Sequence, residues 1–294
     1  MMKVLIVGCA GQVGCELVLR APKKWDILAV SRQQLDITDA RQVKETVGSF
    51  SPNVIINAAA YTAVDRAETN TEQTYAINRD GVANLAREAH ACGAKLLHIS
   101  TDYVFHGNKQ SAYIESDETS PTGVYGASKL AGEKAVEQAC SQHIILRTAW
   151  VFGAHGGNFV KTMIRLAMER TQLNVVGDQF GGPTYAGDIA ETLLIIAEKV
   201  CDESFSDWGA YHYTGTPYTN WAEFAVFITQ VAYKKGLIRQ LPEIKAITSS
   251  DYPTPAKRPP NSMLECEKIH AIFGVSPSDW RSALLDDIAL YVEV

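Results

Sequence analysis

The stretch Lys3-Val4-Leu5-Ile6-Val7-Gly8-Cys9-Ala10-Gly11-Gln12-Val13-Gly14 decides the fold class. Val4 to Val7 are apolar without alternation, as in a strand covered by helices on both faces, and residues 12–20 continue with helical spacing. Between the two, the glycines are spaced GxxGxxG. Glycine allows a tight turn and lets backbone approach a pyrophosphate, and N–H groups at a helix N-terminus face its negative charge. The usual dinucleotide spacing is GxGxxG, and a plain strand-to-helix turn also uses glycines. Here the strand before and the helix after point to a dinucleotide cofactor. Gly8, Gly11, Gln12, Val13 and Gly14 are the residues this loop offers to it.

The pattern repeats outward. Apolar runs at 27–30, 53–57, 95–100 and 143–147 alternate with helix-like segments at 39–49, 71–92 and 125–140. That is the rhythm of an α/β fold, a doubly wound parallel sheet of the Rossmann type with right-handed crossovers. After Trp150, glycines and prolines break the rhythm; helices are expected at 158–170 and 188–199, and residues 280–292 have helical periodicity. The spacing therefore divides the chain into a nucleotide-binding domain, 1–150, and a smaller, loop-rich, mainly substrate-binding domain, 151–294. Some segments of the second are expected to return to the sheet.

With 294 residues the chain holds one large or two smaller domains. Its 46% hydrophobic and 20% charged content excludes a disordered chain. A net charge of −6 and the lack of a basic cluster argue against nucleic acid as a partner. The opening apolar run is far too short to span a membrane, is broken by Gly8 and has no cleavage pattern behind it, so a cytoplasmic location is expected. The six cysteines are scattered, as reduced thiols are, and the seven histidines show no HExxH pairing, so metal chemistry does not lead.

Counting about 20 residues past the glycines lands on Asp36, the place of an acid that would hold a ribose diol. The tip of the second strand, however, is Ser31-Arg32. A hydroxyl and a guanidinium suit a 2′-phosphate better, which favours NADPH over NADH, although a solvated surface charge is the plain reading of Arg32. The chemistry lies in two further segments. Residues 99–105, Ile-Ser-Thr-Asp-Tyr-Val-Phe, leave the fourth strand at its C-terminal end, where such sheets bind ligands. Tyr125 and Lys129 stand four apart on one helix face, and an ammonium beside a phenol is expected to lower its pKa and ready it for proton transfer.

Together, the glycine loop 8–14 and the segments 35–37, 57–65, 100–105, 125–129, 147–153, 178–184 and 253–259 make the chain similar, nearly end to end, to the extended short-chain dehydrogenase/reductase superfamily. Within it, the chain resembles the dTDP-4-dehydrorhamnose reductases. The resemblance implies Tyr125 as proton donor, Lys129 as the residue that holds the nicotinamide ribose and tunes Tyr125, and Thr101 in the usual Ser/Thr place. It implies that Asp36 and Ile37 contact the adenine and that Ala58, Ala59, Ala60, Tyr61 and Thr62 run along the cofactor. Thr101, Asp102, Tyr103 and Trp150 would touch the sugar, and Arg258, in a proline-rich loop, would pair with substrate phosphate. Some relatives form homodimers bridged by a divalent metal such as magnesium, for which Glu16 and Glu191 are the carboxylates to consider.

The activity so implied is NADPH-dependent reduction of the 4-keto group of dTDP-4-dehydro-L-rhamnose, a step in polysaccharide biosynthesis. Two alternatives stay open. A nucleotide-sugar 4-epimerase or dehydratase would use the same Tyr and Lys with a retained NAD. A non-catalytic regulatory subunit of the methionine adenosyltransferase type would bind the dinucleotide and act on a partner enzyme.

Overall fold

A computed structural model describes residues 1–291 of the chain. The first half runs β1 (Lys3–Val7), α1 (Gln12–Arg20), β2 (Asp26–Val30), α2 (Ala40–Phe50), β3 (Val54–Asn57), α3 (Val64–Ala67), α4 (Thr71–Tyr75), α5 (Val82–Cys92), β4 (Lys95–Thr101), α6 (Val124–Ala139) and β5 (His143–Thr148). The second runs β6 (Val151–Phe152), α7 (Phe159–Glu169), β7 (Gln172–Val176), β8 (Phe180–Gly181), β9 (Thr184–Tyr185), α8 (Ala186–Lys199), β10 (Gly209–His212), β11 (Thr219–Asn220), α9 (Trp221–Lys234), β12 (Glu243–Ile247), α10 (Glu267–Phe273) and α11 (Trp280–Asp287). Among the described residues no helix is long and apolar enough to cross a membrane.

Six parallel strands in the order β10-β5-β4-β3-β1-β2 make the central sheet. The unbroken apolar run of β1 follows from cover on both faces. Val4 and Ile6 pack with Leu17 of α1 and Ile189 and Leu193 of α8. Leu5 and Val7 pack with Val43 and Val47 of α2 and Leu85 of α5. The order reverses between β1 and β3, and ligands of such sheets bind in the crevice at that switch point.

Residues 71–92 are not one continuous α-helix. A π-helical turn, Ala76–Gly81, separates α4 from α5. The wider turn presents Asn78, whose amide accepts from the Tyr61 N–H (2.8 Å) and donates to the Tyr61 carbonyl (3.1 Å) and to Ser128 of α6 (3.0 Å). The helix at 280–292 ends earlier than its periodicity suggests, passing from α11 into a 3-10 turn, Ile288–Tyr291; Val292 lies outside the described residues.

The second half contributes to two cores. α8 lies on α1, and β10 pairs with β5, Gly209 opposite Ile144, extending the main sheet. α7, α9 and α11 enclose a separate apolar core around Phe224, Ile228, Trp280 and Leu284. The parallel pair of β7 and β12 flanks it and joins segments about 70 residues apart in the chain.

Candidate active site

At the tip of β1 the chain turns through Gly8, φ +85°, where a Cβ would stand 2.6 Å from the Ala59 nitrogen. The N–H groups of Gly8 and Cys9 both donate to the Val30 carbonyl (2.9 and 3.1 Å), tying the loop to β2. A Cβ on Gly14 would run into the Gly8 carbonyl, so α1 can start flush against the loop only with glycine there. Gly11 is the N-cap of α1 and no side chain caps the helix, which leaves the N–H groups of its first turn for an anion. These features open into a cleft of about 320 Å³ lined by Gly8, Gly11, Arg32, Asp36, Ile37 and residues 58–63.

The other candidates of the glycine loop do not line this cleft. Val13 is buried in the core and Gly14 is packed under the loop. Gln12 turns away and accepts from Asn158 (3.0 Å), the N-cap of α7, so it joins the two halves of the chain. The Ser31 hydroxyl donates to Gln34 (2.9 Å), and one Asp36 oxygen accepts from the Thr38 N–H and hydroxyl (3.0 and 2.8 Å). Of the pair at the end of β2, only Arg32 faces the cleft.

Tyr125 and Lys129 lie in the first turns of α6. Gly126 lets this helix settle directly on the turn Asp102–Val104, since a Cβ there would strike the Tyr103 carbonyl. The Tyr103 and Tyr125 rings meet edge to face, centroids 5.4 Å apart. Burial pushes the Tyr125 phenol up to about 12; the Thr101 hydroxyl beside it draws the other way and the Asp102 charge adds to the rise. The expected lowering by Lys129 is thus not what the fold produces. The Lys129 amine is buried and turned to β4, donating to the Ile99 carbonyl at 2.7 Å and lying 3.4 Å from His98 Nε2. Burial brings Lys129 itself down to about 8, against the pull of Glu133.

Thr101 donates to Asp102 (3.0 Å) and accepts from the Tyr103 N–H (3.2 Å). Burial pushes the Asp102 carboxyl up to about 6, with Ser262 and Thr101 drawing it back, and its Oδ2 is buried without a well-aligned donor.

A second hollow, about 670 Å³, opens beside this wall and includes Asp65, Tyr103, Trp150, Trp221, Gln179, Arg258 and Ser262 in its lining. It adjoins the first where the chain passes from Ala63 to Asp65. Trp150, at φ +49°, stacks on Trp221 of α9 with centroids 3.5 Å apart and planes 9° from parallel. Gly181 lies so close to the Trp150 indole that a Cβ would come within 2.6 Å of it. Arg258 donates to Asp65 at 2.7 Å, and that hydrogen bond holds the Asp65 carboxyl below its usual range.

Two hollows, one at the glycine loop and one walled by aromatic and polar side chains, frame the comparisons with known proteins. The model of the RmlD substrate binding domain family matches residues 2–292. A dTDP-4-dehydrorhamnose reductase of Aggregatibacter actinomycetemcomitans is 47% identical over 100% of both chains. The chain belongs to the dTDP-4-dehydrorhamnose reductase family. The crystal structure of a family member from Clostridium acetobutylicum superposes with a TM-score of 0.91 at 36% identity, covering 98% of this chain and 99% of that one. One from Bacillus anthracis, in complex with NADP, superposes at 0.90 and 34% identity over 100% of both chains.

In this dTDP-4-dehydrorhamnose reductase family member the carboxylates considered for metal already hold a cation. Arg20 lies between Glu16 (3.2 Å) and Glu191 (3.4 Å), and His155 stands 3.8 Å from Glu16. Among the described residues no group of three His, Cys, Asp or Glu side chains could hold a metal ion. Several residues at the site escape sequence reasoning. Trp221 begins a helix announced by Gly215, Pro217 and the N-cap Asn220, signals that mark a turn and a cap but no ligand site, and Asn78 depends on the π-turn. His98 sits in an apolar strand that reads as core.

Proposed function

We propose that this chain reduces the 4-keto group of dTDP-4-dehydro-L-rhamnose to dTDP-L-rhamnose with NADPH, in the cytoplasm, as a step toward a cell-surface polysaccharide. The observation that carries the reading is the grouping of Tyr125, Thr101 and Asp102 against Tyr103, a residue that lines the second hollow. Full-length identity of 47% to a reductase of that name supports it. Residues 1–150 act mainly on the cofactor and 151–294 mainly on the sugar nucleotide, with α8 and β10 as segments of the second half packed on or within the sheet.

The residues present fit the cofactor. The uncapped first turn of α1 suits a pyrophosphate, Arg32 at the rim suits a 2′-phosphate, and Asp36, Ile37 and the small residues 58–60 leave room for the adenosine and ribose. When bound, NADPH supplies the hydride that the carbonyl carbon accepts. Tyr125 gives its proton to the carbonyl oxygen; a phenol held near 12 is fully protonated at neutral pH, as an acid must be. Thr101 holds that oxygen as charge grows on it. Trp150 and Tyr103 orient the sugar, Arg258 exchanges Asp65 for a substrate phosphate, and Lys129 holds the nicotinamide ribose. A magnesium ion at Glu16 and Glu191 would have to displace Arg20, so the residues as arranged do not fit it and no step depends on it. A homodimer is the assembly to test by sedimentation.

The experiment is incubation of the purified chain with dTDP-4-dehydro-L-rhamnose and NADPH, following loss of nicotinamide absorbance and identifying the product. Stoichiometric dTDP-L-rhamnose supports the reading. Tightly held NAD with no net consumption would replace it with an epimerase or dehydratase, and inactivity with a stoichiometric co-purifying enzyme would replace it with a regulatory subunit.

A further inference from the structure

Beneath the site a buried polar chain runs from β3 through β4 to α6. The Asn57 side-chain oxygen accepts from the Ala59 N–H at 3.0 Å, which fixes the amide orientation because a backbone N–H can only donate. The Asn57 NH2 therefore faces His98 Nδ1, 3.0 Å away, and that nitrogen must accept. His98 is fully buried, and burial, then Lys129 and His143, hold its pKa well below the usual value, so the ring is neutral. A neutral imidazole that accepts at Nδ1 carries its proton on Nε2. That N–H is aimed at Lys129 Nζ, 3.4 Å away, and an ammonium has no lone pair with which to accept it.

We propose that Asn57 and His98 are positioning residues: they lock the imidazole proton on Nε2, facing Lys129, and so favour the neutral amine, which can accept from His98 while it donates to the Ile99 carbonyl, over the ammonium. The charged neighbours agree. Glu133, on Lys129's own helix, has its carboxylate taken by Arg147 of β5 (2.7 and 3.0 Å) and by the Ser100 hydroxyl (2.5 Å), so it is not free to hold an ammonium. His143 of β5 donates to the Cys140 carbonyl (2.6 Å), while Asp102 accepts from Thr101 and Tyr125 packs edge to face on Tyr103. The tautomer follows from this geometry alone; its consequence for turnover rests on the role proposed for Lys129. The pair sets how readily Lys129 takes up the charge that stabilises a tyrosinate at Tyr125.

The test is two-bond proton–nitrogen NMR on 15N-histidine-labelled protein without added cofactor, with His98 assigned by its loss in His98→Gln. The expected pattern is a neutral ring protonated on Nε2 that stays neutral below the ordinary histidine range. A ring protonated on Nδ1, or an imidazolium at neutral pH, overturns the proposal. In Asn57→Asp the carboxylate accepts from both Ala59 and His98 Nδ1, so the proton should move to Nδ1 and turn Nε2 into an acceptor for an ammonium. The alkaline limb of the turnover profile should then move upward by about one pH unit, a tenfold change in the amine-to-ammonium ratio. A variant that loses rate equally at every pH, with the limb unmoved, would mean that Asn57 only supports the fold. The wild-type spectrum decides even if a variant fails to fold, and it needs no substrate, so its failure and a failure of the reductase reading are separately legible.

Discussion

The two hollows are built on different principles. The first is lined by residues 7–77 at the ends of three neighbouring strands, and seven of its fifteen lining residues are glycine or alanine, so the main chain forms much of its wall. The second draws on residues 65 to 262 and is walled by large side chains, the Trp150–Trp221 stack and the Arg258–Asp65 pair among them. A wall of backbone should be broken by adding a carbon; a wall of side chains should be broken by removing one. It follows that a constant ligand suits the first and that the second is where selectivity among sugar nucleotides can change.

Tyr125, edge to face with Tyr103 of the second hollow, sharpens the contrast most. Tyr125→Phe keeps the ring against Tyr103 and removes only the proton, so kcat should fall by about 10²- to 10⁴-fold while NADPH and sugar-nucleotide affinities stay nearly unchanged. Activity within a few-fold of wild type across neutral pH would remove Tyr125 as the acid. Gly8→Ala comes next. At φ +85°, with its Cβ 2.6 Å from the Ala59 nitrogen, it should cost about 1–3 kcal/mol of stability in urea titrations. NADPH binding, measured calorimetrically, should weaken much more than binding of dTDP alone, and equal weakening of both would break the distinction between the hollows.

Trp221→Ala probes the opposite wall. Loss of the stacked partner should raise KM for the sugar nucleotide about tenfold, about 1.4 kcal/mol, and leave the NADPH Kd within about twofold. The smallest effect concerns the rim. Arg32→Glu places a carboxylate where the 2′-phosphate is proposed to lie, and the ratio of NADPH to NADH affinity should fall about fivefold, about 1 kcal/mol. An unchanged ratio would show that Arg32 serves solubility alone.

What could be read along the chain follows this division. The glycine loop, the five apolar strands of the first half and the one-turn spacing of Tyr125 and Lys129 are local, and the structure holds them with ends shifted by a residue or two. The second hollow was legible only in fragments. Trp150 and Arg258 stand out as residues near glycines and prolines, but nothing near either in sequence names Trp221 or Asp65 as its partner. The parallel pairing of β7 with β12 and the return of β10 to β5 likewise join segments whose own patterns are silent about one another.

The amino-acid order by itself determined the sheet-and-helix rhythm, the dinucleotide turn and the residue types that can move a proton, because periodicity and glycine stereochemistry act within a few residues. Only the tertiary structure decided where those groups point and how they are charged. Burial, a property of the packed whole, raises the Tyr125 phenol instead of lowering it, and turns Lys129 to Ile99 and His98 on β4. It also sets Arg20 between Glu16 and Glu191, where charge counting alone would leave two free carboxylates. Contacts between distant segments depend on the assembled core, and no local propensity encodes them.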